Sequence, residues 1–188
     1  MALTEIKAVT PVTDEELLQH IAQGDENALE VLYSQYYERL VRFLYRLSGD
    51  KSHIQEIVND VFFIIWKTAT NFRGDSTVST WILGIAYKKG LQSTSRLKSL
   101  NQLDEKDSDY CGCEDTFIDE RNIDQLLQGL SPQHRAVLEL TYYFGYSYKE
   151  IGDIVDCPEN TVKTRMFHAR QRLRVLMEDD SYVKKTQR

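Results

Sequence analysis

Apolar residues return every three or four positions along the first fifty residues, at Leu17, Ile21, Leu29, Leu32, Tyr33, Tyr36, Leu40, Val41, Leu44 and Leu47. That period places them on one face of an α-helix. Gly24-Asp25 interrupts the run, which predicts an amphipathic hairpin or pair of helices. After Gly49 the stripe resumes with Ile54, Ile57, Val58, Val61, Phe62, Ile65, Trp66 and Ala69. A turn at Arg73-Gly74-Asp75-Ser76 separates it from a third stretch carrying Trp81, Ile82, Ile85 and Ala86, whose surface then becomes basic. No alternating, period-two pattern competes with these helices.

Periodicity lapses between about Ser99 and Glu120, where the chain is too acidic and too poor in apolar residues to repay its ordering entropy. It returns with Ile123, Leu126, Leu127 and Leu130. Ser131-Pro132 then reads as an N-cap followed by proline at the first helical position, opening a helix that carries Val137, Leu138, Leu140 and Thr141 and stops near Gly145. Ser147 and Glu150 have the spacing of a capping box for the next helix, through Ile151, Ile154 and Val155. Asp156-Cys157-Pro158 ends that helix, since Pro158 lacks a donor and pushes Cys157 out of helical geometry. Asn160 and Thr161 are placed to cap a last helix running through Met177. Two short helices around a tight turn, the second studded with bases, predict a helix-turn-helix. The expected fold is therefore all-α: two small helical domains, 12–98 and 122–180, joined by a flexible acidic linker at 99–121.

Charge sharpens this picture. The formal net charge of −6 argues superficially against a nucleic-acid partner, but it conceals a segregation along the chain. From Lys88 to Leu103 there are four bases and no acid; from Asp104 to Asp124 nine acids face two bases; from Thr161 to Arg188 eight bases face three acids. Two basic segments flank an acidic middle. The longest apolar run, Val61 to Trp66, is far too short to span a membrane, and the amino terminus lacks a basic start and an apolar core, so a cytoplasmic location without membrane insertion is expected. The three cysteines make an odd set, with Cys111 and Cys113 too close to staple a fold; reduced thiols are expected.

In the last helix Val162, Met166, Ala169 and Leu173 are spaced to face a core. Thr161 at its start, then Lys163, Thr164, Arg165, Phe167, His168 and Arg170, are left for other sides. A recognition helix presents such residues to the major groove, polar groups meeting base edges and cations neutralising phosphates.

The segment Ser147 to Leu173, SYKEIGDIVDCPENTVKTRMFHARQRL, resembles the promoter-reading C-terminal domain of the extracytoplasmic-function (ECF) class of bacterial RNA polymerase sigma factors. Asp25 to Trp66 and Asn71 to Ala86 (NFRGDSTVSTWILGIA) are similar to the first domain of the same family, in the same order. The resemblance implies that Glu56, Asn59, Asp60, Phe63 and Trp66 grip the clamp helices of the largest subunit of core RNA polymerase. Polar residues beside large aromatics make a typical anchor for a partner helix. It implies that Phe72, Arg73, Ser76, Thr77, Lys88 and Gln92 bind the melted −10 element, where aromatics stack on bases and cations neutralise the strand. Trp81 is read as support beneath them and Phe62 as core. Thr161, Lys163, Thr164, Arg165, Phe167, His168 and Arg170 would meet the −35 duplex. The family also implies an anti-sigma partner, and for the linker a path along the RNA exit channel.

The chain departs from the family at Lys88, where asparagine is common. A lysine donates but cannot accept, so its base preference differs from that of an amide. Neither a cofactor nor a metal is called for. Cys111-Gly112-Cys113 has no second pair or histidine nearby, and His20, His53, His134 and His168 have no ligand spacing. Common catalytic motifs are missing, so no enzymatic activity is expected. A stand-alone helix-turn-helix regulator is the rival reading; it would carry a receiver or ligand pocket upstream, where this sequence has only helical periodicity.

Overall fold

A computed structural model of the chain describes residues 12–49, 51–101 and 126–186. Most of the stretch read as a linker, including Cys111 and Cys113, lies outside the described residues. Of those residues, 14–22, 26–48, 54–68 and 78–101 form helices α1 (Asp14–Ala22), α2 (Glu26–Ser48), α3 (Ile54–Thr68) and α4 (Val78–Asn101). Downstream come a helical turn at 126–128, then α5 (Pro132–Tyr142), α6 (Tyr148–Val155) and α7 (Glu159–Thr186). No strand occurs among the described residues.

Local chemistry sets most of these boundaries. Thr13 and Glu16 form a capping box on α1, and the carboxylate of Asp25 accepts from the Asn27 and Ala28 amides to start α2. Gly49 closes α2 with φ 76°, a left-handed conformation that glycine adopts without a Cβ clash. The Ser131 hydroxyl caps α5 just before Pro132, and the Ser147 and Glu150 side chains close a reciprocal capping box on α6. Those two starts fall where the sequence places them. The start of α7 does not: it begins at Glu159, and the Pro158 carbonyl accepts from the Thr161 and Val162 amides at 2.8 and 3.2 Å. Asn160 and Thr161 thus lie inside the first turn rather than capping it, since the helix already opens at the residue after Pro158, whose fixed φ is compatible with helix entry.

The first unit is held by α1, α2, α3 and α4 packed on one another, with Leu32, Leu40, Phe43, Val58, Val61, Ile65 and Ile82 fully buried. Phe62 is core, as expected, and is capped by the Tyr33 ring at 4.6 Å. In the second unit α5 and α6 pack on α7 through Val137, Leu140, Ile151, Ile154, Val162 and Ala169, all with essentially no exposure. Burial of an aliphatic side chain is worth about 1.5–3 kcal/mol, so this small unit depends on nearly every one of them.

The two units also pack against each other. The α4–α6 contact is the most extensive pairing of helices, and α5 lies along α2. In the first, the helices come close at Gly84: a Cβ there would sit at an ordinary 3.6 Å from the Ile154 carbonyl oxygen, which leaves room for one methyl group. In the second, the loop after α5 brings Tyr143 under the Arg42 guanidinium at 3.9 Å and sets Phe144 edge-on to Phe43 at 6.0 Å. Tyr146 hydrogen-bonds to the Ser79 hydroxyl and accepts from Arg39.

Candidate nucleic-acid interface

On α7 the apolar stripe turns inward as its spacing demands. Val162, Met166 and Ala169 are buried and Leu173 is half-buried. The opposite side exposes Lys163, Thr164, Phe167, His168 and Arg170. Lys163 is held by Glu159 one turn back at 2.7 Å, and the Thr164 hydroxyl donates to the Asn160 carbonyl. Phe167 stands 57% exposed with the His168 ring against it. The Arg170 guanidinium lies over the Tyr142 ring. Thr161 is half-buried at the helix start.

Arg165 departs from the outward set. It is half-buried, its Nη1 has no hydrogen-bond partner, and it reaches Tyr87 of α4. Burial pushes the Tyr87 hydroxyl up from its usual value, and the Arg165 charge partly offsets that. His134, beside the same arginine, is pushed down, first by burial and then by the His168 and Arg165 charges.

The geometry of the turn is fixed by backbone. Asp156 closes α6 at φ 53°, the one described non-glycine residue with a left-handed backbone, and the Cys157 amide donates to the Gly152 carbonyl at 3.0 Å. Cys157 is a half-buried turn residue beside it.

On the first unit, α3 presents Glu56, Asn59, Asp60 and Phe63 to solvent on one side, with Phe63 61% exposed beneath the Lys67 ammonium. Asn59 accepts from the Tyr33 hydroxyl and Asp60 accepts from Lys89 of α4 at 3.0 Å, so the polar members of this surface are already oriented. Trp66 is half-buried against the core.

The loop between α3 and α4 holds Arg73 in an ion pair with Asp75 at 3.0 Å, while Ser76 and Gln92 are exposed or at the rim. Thr77 caps α4, its hydroxyl accepting from the Thr80 amide at 3.1 Å. Phe72 leans on Trp81 at 5.3 Å, and both are partly buried, which fits Trp81 as support. Lys88 points at the second unit and pairs with Asp156 at 3.0 Å.

Sequence reasoning passed over the Tyr142–Tyr146 segment and its partners Arg39 and Arg42. The available signal was four aromatics in five residues between two helices, more than a turn needs.

A helix-turn-helix on one unit, joined to a helical unit that carries an aromatic, charged α3–α4 surface, defines a helical DNA-binding protein. Family comparison makes this specific. The model described as "Sigma-70 region 2" matches residues 32–96, and that for "Sigma-70, region 4" matches residues 120–173, together more than half of the chain. RNA polymerase sigma-H factor of Pseudomonas aeruginosa is 26% identical over 87% of this chain and 93% of its own length. The ECF RNA polymerase sigma-E factor of Haemophilus influenzae is 27% identical over 85% of this chain and 93% of its own. Among solved structures, CnrH in complex with the cytosolic domain of CnrY superposes with TM-score 0.69 at 20% identity, covering 89% of this chain and 98% of that one. The sigma factor RpoE in complex with the anti-sigma factor NepR from Bartonella quintana gives 0.64 at 20% identity, covering 79% and 96%. The chain belongs to the ECF class of sigma-70 factors. A region 2 unit upstream of the helix-turn-helix removes the stand-alone regulator reading.

Proposed function

We propose that the division of labour within this sigma factor follows its two units. The α3 face built on Glu56, Asn59, Asp60, Phe63 and Trp66 grips the clamp helices of core RNA polymerase. The loop and helix bearing Phe72, Arg73, Ser76, Thr77, Lys88 and Gln92 take up the melted −10 element, with Lys88 acting as a donor to base or phosphate. The residues Thr161, Lys163, Thr164, Arg165, Phe167, His168 and Arg170 engage the −35 duplex. The boundaries are 12–98 for the first domain, 99–121 for the linker and 122–180 for the second. The protein works in the cytoplasm alongside polymerase, which performs all the chemistry; this chain contributes binding only. The observation that carries the reading is the order of the two sigma-70 regions together with an outward, exposed basic and aromatic stripe on α7.

Of the two similar solved structures, one is a sigma factor in complex with the anti-sigma factor NepR and the other is CnrH in complex with the cytosolic domain of CnrY, which supports a cognate anti-sigma factor for this chain as well. The test is to mix the purified chain with sigma-free core polymerase and map transcripts from its source genome. Co-migration and initiation from defined start sites support the reading and yield the promoter sequence. A folded chain that fails to bind polymerase overturns it.

A further inference from the structure

The basic surface of the recognition helix does not stop at the edge of α7. His134 stands in the first turn of α5, partly exposed, its amide donating to the Ser131 hydroxyl at 3.3 Å. α5 packs along α7, and this brings the His134 side chain beside Arg165 and His168, three residues apart on α7. His168 is exposed together with Phe167 on the side assigned to the −35 duplex. Two helices thus meet in one patch of three basic side chains.

No acid answers that patch. Among the described residues none of the three has an ion-pair partner, and the Arg165 Nη1 has no hydrogen-bond partner. α2 and α6 also pack on α5, and among the described residues neither sets a charge against His134. The α2 side is occupied by Arg135, which donates to the Arg46 carbonyl at 3.4 Å, and Arg135 and Glu139 of α5 itself are buried. Burial first, and then the His168 and Arg165 charges, hold His134 below the ordinary histidine value, so the free chain carries this ring neutral at neutral pH.

We infer that His134 is a further −35 contact: it carries the DNA surface from α7 onto the start of α5, grips a backbone phosphate as the imidazolium, and so makes −35 binding draw a proton from solvent. This rests on the −35 role proposed for α7. A phosphate beside the patch supplies the negative charge that its own surroundings lack, and an opposite charge favours the protonated ring. The ring therefore holds its proton to higher pH in the complex than in the free chain. Its contribution to affinity is complete below the free-chain value and is lost as pH rises through the bound one. A phosphate contact positions the helix without reading a base, so the effect is alike on every −35 sequence.

The experiment titrates holoenzyme carrying the native chain, His134→Gln or His134→Lys with the mapped promoter duplex at about pH 6 and about pH 8, each over a range of salt. Circular dichroism of each chain reads folding. Comparing chains at one pH cancels any response of polymerase itself. At the lower pH the native chain is expected to bind about tenfold tighter than His134→Gln, the worth of one charge-assisted hydrogen bond, with a salt slope steeper by about one. At the higher pH the two are expected to bind alike. His134→Lys, a cation at both, is expected to keep the tight binding at about pH 8. Native and His134→Gln affinities that differ by the same factor at both pH values, or not at all, overturn the inference, because a structural role would cost affinity regardless of pH. So does a folded His134→Lys chain that binds no tighter than the native one at the higher pH. Lys163→Ala in the same holoenzyme separates the two levels: weakened binding at both pH values keeps the recognition-helix assignment, so that a failure falls on His134 alone, whereas unchanged binding removes that assignment and the inference with it.

Discussion

Gly152 lies inside α6, where an alanine would ordinarily be welcome. Replacing glycine by alanine within a helix gains about 1 kcal/mol from lower unfolded-chain entropy. Here, however, the new Cβ would stand 2.8 Å from the Cys157 carbonyl oxygen, whereas a relaxed carbon–oxygen contact is about 3.3 Å or more. The obstructing atom is backbone, tied to the same helix by the Cys157 amide's bond to Gly152, so it cannot swing aside as a side-chain tip would. Overpacking of this kind costs about 1–3 kcal/mol. The clash outweighs the helical gain, and Gly152→Ala is expected to destabilise the second unit by up to about 2 kcal/mol. A domain of ordinary stability, about 5 kcal/mol or more, would remain almost wholly folded after such a loss. Reduced DNA affinity would then report a shifted recognition helix rather than unfolding. About a tenfold drop for the −35 duplex is expected, comparable to losing one good base contact. Urea unfolding and duplex titration check the two parts. Gly84→Ala is the control, since its Cβ meets Ile154 at an ordinary 3.6 Å, and it should stabilise by about 0.5–1 kcal/mol. A Gly152→Ala protein as stable as the native chain, with unchanged duplex affinity, would refute the reasoning.

Asp60→Ala should weaken binding to core polymerase about tenfold, measured by competition with a labelled sigma factor. Its surface pair with Lys89 is worth little, so the melting temperature should hardly move; unchanged core affinity would remove Asp60 from the contact. Lys163→Ala should lower −35 affinity alike on all sequences and reduce the salt slope by about one, while core binding stays intact. The Tyr36 hydroxyl, buried and donating to Asp14, is held neutral well above the ordinary tyrosine value, first by burial and then by that carboxylate. Its folded pKa therefore exceeds the unfolded one, so the stability it contributes is complete below about pH 10 and is lost as pH rises further. Tyr36→Phe should cost about 1 kcal/mol at neutral pH and flatten the alkaline loss, as thermal melts between neutral and strongly alkaline pH would show.

What the sequence determined by itself was everything set within a turn or two of chain. The period of Leu17 to Leu47 specified helical faces, and Ser131-Pro132 and Ser147 with Glu150 specified helix starts, because capping bonds join residues three apart. The inward stripe Val162, Met166, Ala169 followed from the same period, and with it the exposed face that the family resemblance ties to DNA. A stripe says that a face is covered, not by what. Tertiary structure alone decided that α4 would be covered by α6, that Lys88 would meet Asp156, and that Arg165, outward by spacing, would turn in toward Tyr87. Tyr146 meets Ser79 across 67 residues and Arg39 across 107, separations over which no local preference acts. Such contacts form only when two finished units present complementary surfaces, a close approach at Gly84 and cations over aromatic rings, and that complementarity exists in three dimensions only.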